Sequence, residues 1–167
     1  MKKVWFVFAL FFIIFSFSLS AQNAGVIADI VSHDKSVWSD LTYLAYYMDE
    51  SNALSDENLS PAETFDLFAK NGLIPERVTS DTVLRYDDMA HFMYNAFSGI
   101  KRSSIMYTMF NSRHYAFRQL KTDGLVLDSA FPSDKLSGFR LVTFAGDFYD
   151  KYDKFDEKVF SLKNLYD

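Results

Sequence analysis

The chain has 167 residues, with 22 acidic side chains against 17 Lys and Arg, a net charge of −5 and no cysteine. The acidic balance argues against nucleic acid and anionic lipid as partners, because both repel it, and the lack of cysteine excludes a disulfide framework. Aromatic residues make up 18 % of the chain, too large an apolar load for a disordered protein and enough to fill the core of one domain.

The amino terminus reads as an export signal spanning 1–21. Lys2 and Lys3 are followed by an unbroken apolar run from Val4 to Phe15, and Ser16 to Ala21 supplies the small residues that a signal peptidase reads. The apolar stretch from Val4 to Leu19 is 16 residues long, short of the roughly 20 needed to cross a bilayer, so cleavage after Ser20 or Ala21 is expected. Cleavage removes two lysines and no acid, taking the net charge from −5 to −7. No cysteine follows the signal to carry a lipid, and no later run reaches membrane-spanning length. The mature chain, 22–167, is expected to be one exported domain of the periplasm or cell envelope, without a transmembrane segment.

Gly25 to Ser32 predicts a short helix, and Ser36 to Glu50 a further one with Trp38, Leu41, Leu44, Ala45 and Met48 on one side. Tyr43, Tyr46 and Tyr47 share that helix, and the spacing predicts that they cannot all face inward. Exposed tyrosine is common currency at protein interfaces, so these side chains, with Tyr107, Tyr115, Tyr149 and Tyr152, point either to a docking surface or to boundary packing. Asn52 to Asn58 reads as a polar linker.

From residue 60 the chain repeats itself with an offset of 52 residues, so that 60–99 aligns with 112–151 without a gap. Few paired residues are identical, but each pair has the same structural task. Ser60-Pro61-Ala62-Glu63 is a helix start, with Ser60 as N-cap, Pro61 pre-set for the first helical position and Glu63 placed to close a capping box. Phe65 and Phe68 follow, and Gly72 stops the helix by taking a left-handed conformation at little steric cost. Ser112, Phe117, Leu120 and Gly124 repeat this order. A loop leads to a second helix in each unit. Leu84 and Met89 have staple spacing, as do Leu136 and Leu141, with Ser137 as N-cap. The apolar stripe Met89, Phe92, Met93, Ala96, Phe97 is matched by Leu141, Phe144, Ala145, Phe148, Tyr149. The fold expected is all-α: two tandem helix-loop-helix units packed with an N-terminal helix. The linker from Ile100 to Phe110 is greasy enough to be expected buried, and the tail from Tyr152 to Tyr166 is expected to be helical.

No constellation of catalytic or metal-binding residues stands out. His33, His91 and His114 have no partner at metal-ligand spacing, and neither His-Glu-x-x-His, Gly-x-Ser-x-Gly nor Gly-x-Gly-x-x-Gly occurs. Asp147, Asp150, Asp153 and Asp156 recur every three residues, but an EF-hand needs alternate acids and a central glycine. They read better as a solvated face, with Asp147 to Lys151 and Asp150 to Lys154 as i, i+4 pairs. No catalytic residue, metal or cofactor is therefore assigned, and the protein is expected not to be an enzyme.

The repeated unit resembles the S-layer homology domain. That family's units have a helix ending in glycine and an aliphatic residue, then a loop, then a helix opened by Ile-Thr-Arg-Ala-Glu and an aromatic residue or Met. The matching stretch is Leu84-Arg85-Tyr86-Asp87-Asp88-Met89-Ala90. The family's motif Arg helps to bind an anionic cell-wall polymer. By register Tyr86 stands in its place, Arg85 lies one position early and Asp88 matches the acidic position. The resemblance thus implies a candidate ligand site at Arg85, Tyr86 and Asp88. A plainer account makes Arg85 a solvated residue at a helix start, where the helix dipole disfavours a cation. Leu136 to Leu141 has lost the motif, and the family's usual third unit is missing unless the Ser36–Glu50 helix is its remnant. The function expected is a structural or protein-binding module whose partner is another envelope protein. The alternatives are a module binding an anionic cell-wall glycan and an exported hydrolase.

Overall fold

A computed structural model describes residues 24–53, 58–97, 99–100, 104–152 and 162. The export signal expected at 1–21 and nearly all of the tail lie outside the described residues. Among the described residues the fold is all-α and contains no strand, and no described helix is long and apolar enough to cross a membrane. The helices are α1 (24–32), α2 (Trp38–Met48), α3 (Glu50–Ala53), α4 (Pro61–Lys70), α5 (Tyr86–Ala96), α6 (Ile105–Phe110), α7 (Arg113–Thr122) and α8 (Gly138–Tyr152).

Local chemistry sets the helix ends. The Ser60 Oγ accepts the Glu63 amide, and Glu63 Oε2 accepts the Ser60 amide at 2.8 Å, closing the capping box of α4. The Ser60 amide and hydroxyl hold the Glu63 carboxyl below its ordinary pKa. Ser112 caps α7 by accepting the Tyr115 amide, and Ser137 accepts the Arg140 amide at the start of α8. Gly72 and Gly124 follow α4 and α7 with φ of 71° and 74°, the left-handed region that a β-branched residue tolerates poorly.

The starts of α2, α5 and α8 have a second source of order. Their first amides are satisfied by backbone carbonyls of a neighbouring segment. Trp38 and Ser39 donate to Thr82 and Ser80, and Tyr86 and Asp87 donate to Asp134 and Pro132. Those two pairs are equivalent, since each acceptor moves by 52 residues while the donor moves from α2 to α5. Gly138 closes the circuit by donating to His33 at 2.8 Å. Leu84 further donates to Ser36, and Ser36 to Leu136. The three segments before α2, α5 and α8 thus form a cyclic, approximately threefold ring. At one register of the three helices, Leu41, Met89 and Leu141 are each 1 % exposed or less. α2 is therefore the third member of the set.

α4 packs along α2 and α7 along α5. Phe92 of α5 meets both Trp38 and Phe68, with ring centroids 5.8 and 5.1 Å apart, which ties α2, α4 and α5 into one core. Between α5, α7 and α8, Tyr94 and Tyr152 both donate to Asp123 Oδ2, at 2.8 and 2.5 Å. Burial pushes both phenols above their ordinary pKa.

Several expectations are refined by the structure. The linker is buried only in part: Ile100 and Tyr107 are buried, while Ile105 is 76 % and Met109 70 % exposed, because a six-residue helix lying on α7 has one inner side. Tyr43 and Tyr46 are both buried, because α2 is packed by α4, α5 and α8, while Tyr47 is half-buried, so the three tyrosines of α2 do not all face inward, as expected. Burial pushes the Tyr43 phenol up to about 12. Lys151 reaches the Asp123 carbonyl at 2.6 Å rather than Asp147, an attraction expected of the carbonyls at a helix end. Leu162, in the expected helical tail, forms an antiparallel bridge with Phe97 and donates to Asp49 instead.

Candidate functional site

Arg85, Tyr86 and Asp88 lie at the start of α5. Arg85 is its N-cap and has no side-chain acceptor to offer, so the amides of Tyr86 and Asp87 turn to the 132–134 segment. The Arg85 guanidinium bonds Asp87 through Nη2 at 2.9 Å. Asp88 is taken by Arg113 of α7 through Nη1 at 2.5 Å. Burial, and then the neighbouring Asp88 charge, raise the Asp87 carboxyl above its usual range against the pull of both arginines. The result is a neutral cluster of two cations and two carboxylates that links α5 to α7. Two acids in the first turn also suit the helix dipole. Arg113 has no counterpart in the motif and was not singled out by the sequence reading, because the pairing joins residues 25 positions apart.

Tyr86 points elsewhere. Its ring meets Phe117 edge-on at 6.2 Å and lines a pocket of about 190 Å³ with Leu125, Val126, Arg140 and Asp147. The three candidate residues are therefore neighbours along the chain but do not converge on one point. Arg140 is the cation that faces the same space as Tyr86.

A larger feature lies between α2 and α8. It is an open groove of about 540 Å³, lined by Tyr43, Leu44 and Tyr47 on one side and by Val142, Ala145 and Tyr149 on the other. Its floor is apolar, with Asp150 at the edge, and α1 contributes Ile27. Gly146 opens onto it, and a Cβ built there meets nothing within 4 Å. No sequence signal marked this groove, since its walls come from α2 and α8, which pack on each other from positions about a hundred residues apart in the chain.

No family model matches the chain, and no match is found among curated proteins or solved structures. The reading of function therefore rests on these sites alone. Among the described residues no group of three His, Asp or Glu side chains is placed to hold a metal ion.

One more titratable pair lies at the rim of the ring. Asp40, 2 % exposed, accepts the Val37 amide and sits 3.0 Å from His33 Nδ1. That hydrogen bond raises the His33 pKa above 6.5, against the opposing effect of burial. A raised histidine stabilises the fold in its protonated form. The contribution is fully present below the unfolded pKa and is lost as pH rises through the folded one. The urea midpoint is accordingly expected to fall between pH about 6 and pH about 8, and His33→Gln to flatten that fall. An unchanged slope in the variant would remove His33 as its source.

Proposed function

We propose that the protein is an exported cell-envelope component that works by binding another protein rather than by chemistry. The observation that carries this reading is the apolar groove between α2 and α8, an open surface in which Asp150 is the one charged residue among the described lining residues. Contiguous apolar surface of this kind marks interaction sites. The exposed side chains of α6, Ile105, Met109 and Phe110, add a second apolar surface. Export is supported by the order of charge, apolar run and small residues in 1–21. In a secreting bacterium, mass spectrometry is expected to find Ala21 or Gln22 at the new amino terminus. A full-length product that stays with membranes through a carbonate wash would overturn it. A pull-down from crosslinked envelope fractions tests the partner class, and recovery of protein is the expected result.

A second reading keeps the S-layer homology resemblance and takes the ligand as an anionic cell-wall glycan. The Tyr86 pocket supports it, with Arg140 as the cation and a ring for a sugar to lie against. Against it stands the mutual neutralisation of Arg85, Asp87, Asp88 and Arg113. Titration of anionic wall fragments against the wild type, Arg85→Ala and Arg140→Ala separates the two readings. Glycan recovered without protein, and binding lost in either variant, would favour the second.

A further inference from the structure

The ring makes α2, α5 and α8 equivalent, and the equivalence extends to what each should carry on its flank. α5 presents Ala90, Met93, Tyr94 and Phe97, all 1 % exposed or less, in a unit whose flank is packed by α7. α2 presents Thr42, Ala45 and Tyr46 at the same register, likewise 1 % exposed or less, and α4 packs there, with Thr42 Oγ1 3.4 Å from Thr64 Oγ1. On α8 the same register is Val142, Ala145, Gly146 and Tyr149, and these are the residues that line the open groove.

The other wall agrees. In the first socket the neighbouring helix α5 supplies Phe92, which meets Phe68 of the inserted α4. The residue of α2 in register with Phe92 is Leu44, and Leu44 lines the groove. Two of three equivalent sockets are filled by a ten-residue helix of this chain, α4 or α7. In the third, Ile27 of α1 lines the groove, and no described residue stands in the place of the paired apolar anchors of α4 and α7. Gly146, where the filled sockets have Tyr94 and Tyr46, deepens it further.

We propose that the groove between α2 and α8 is a third helix socket, and that its occupant is an amphipathic helix of a partner protein presenting two apolar side chains three residues apart. The chemistry of the occupant is read from the molecule itself. α4 enters its socket with Phe65 and Phe68, and α7 enters with Phe117 and Leu120, all four buried. Three-residue spacing puts both side chains on one face of a helix. Helix-in-groove recognition uses such anchors. Asp150 at the edge favours a cation beside them. This inference rests on the protein-binding reading above and names the partner's chemistry at the same site.

The test uses the exported, full-length mature chain and a labelled, helix-stapled peptide of this chain's own residues 59–73 as the probe. Saturable binding is expected, with amide shifts confined to the α2 and α8 faces of the groove. Gly146→Trp, whose side chain projects into open space, is expected to weaken binding roughly tenfold or more while the thermal melt stays cooperative. Gly146→Ala is expected to keep binding. The peptide carrying Phe65→Asp and Phe68→Asp is expected not to bind. Absence of saturable binding to the wild type, or equal binding by Gly146→Trp, overturns the proposal. So does concentration-dependent self-association of the wild type that Gly146→Trp abolishes, since the occupant would then be a second copy. Should the peptide fail while crosslinked envelopes still yield a protein partner, the adaptor reading survives through another surface and the socket does not.

Discussion

Replacing Phe92 with Ala is expected to lower the unfolding free energy by about 3–5 kcal/mol, the range for emptying a large aromatic site in a core. Phe92 is 2 % exposed and lies edge-on to both Trp38 and Phe68, so the cavity would open where α2, α4 and α5 meet. Backbone collapse cannot fill it easily, because the ring of amide bonds above fixes the starts of α2 and α5 against each other. Phe144→Ala removes the residue at the same register of α8, 4 % exposed and packed on Phe148 at 5.5 Å. A loss in the same range is expected. Urea melts of both variants are the measurement. Two nearly neutral results would mean that the shared stripe is not the core of either unit.

Gly138→Ala is expected to be the most damaging alanine substitution among the described glycines, with a loss at or above the about 1–3 kcal/mol usual for overpacking. A Cβ at this position would stand 1.6 Å from the Ile30 carbonyl oxygen, which is backbone and cannot rotate away. Gly138 also donates its amide to His33, so any retreat of α1 breaks one of the bonds that close the ring. The variant should melt early and release α1, seen as faster proteolysis within 24–32. Gly146→Ala lies in the same helix with nothing within 4 Å of the new methyl, and is expected to gain up to about 1 kcal/mol from helix propensity. Equal effects at the two glycines would show that the close approach of α1 is not what restricts Gly138.

What was legible in the sequence was local. The Ser60 capping box, the Ser112 and Ser137 caps, and the left-handed glycines at 72 and 124 depend on residues within a few positions of each other. The apolar stripes of α5 and α8 follow from helical period alone. Tertiary pairing was not legible. Nothing in the sequence joins Asp88 to Arg113, or sends Tyr94 and Tyr152 to Asp123. Composition marked 105–110 as greasy but carries no information on which side turns out, and Ile105 and Met109 turn out. The role of α2 was hidden for another reason. The ring that makes it equivalent to α5 and α8 is built from backbone amides and carbonyls, which every residue but proline supplies, so Trp38, Tyr86 and Gly138 hold one position without resembling each other. The groove was hidden because its described lining comes from α1, α2, α3 and α8, segments far apart in the chain.

The ring also governs how the chain reaches its fold. Two of its seven bonds, Ser36 to Leu136 and Gly138 to His33, join segments a hundred or more residues apart, and the other five join segments 41 to 48 residues apart. Local helices form in microseconds, but contacts of this range must first overcome the entropy of closing long loops. The caps and stripes can therefore be present in a nascent chain that has no native core. Such a chain holds its apolar faces open until the segment before α8 has emerged and joined the other two. Under the proposed export, late closure would be an advantage, since the chain stays open until the segment at 134–137 arrives.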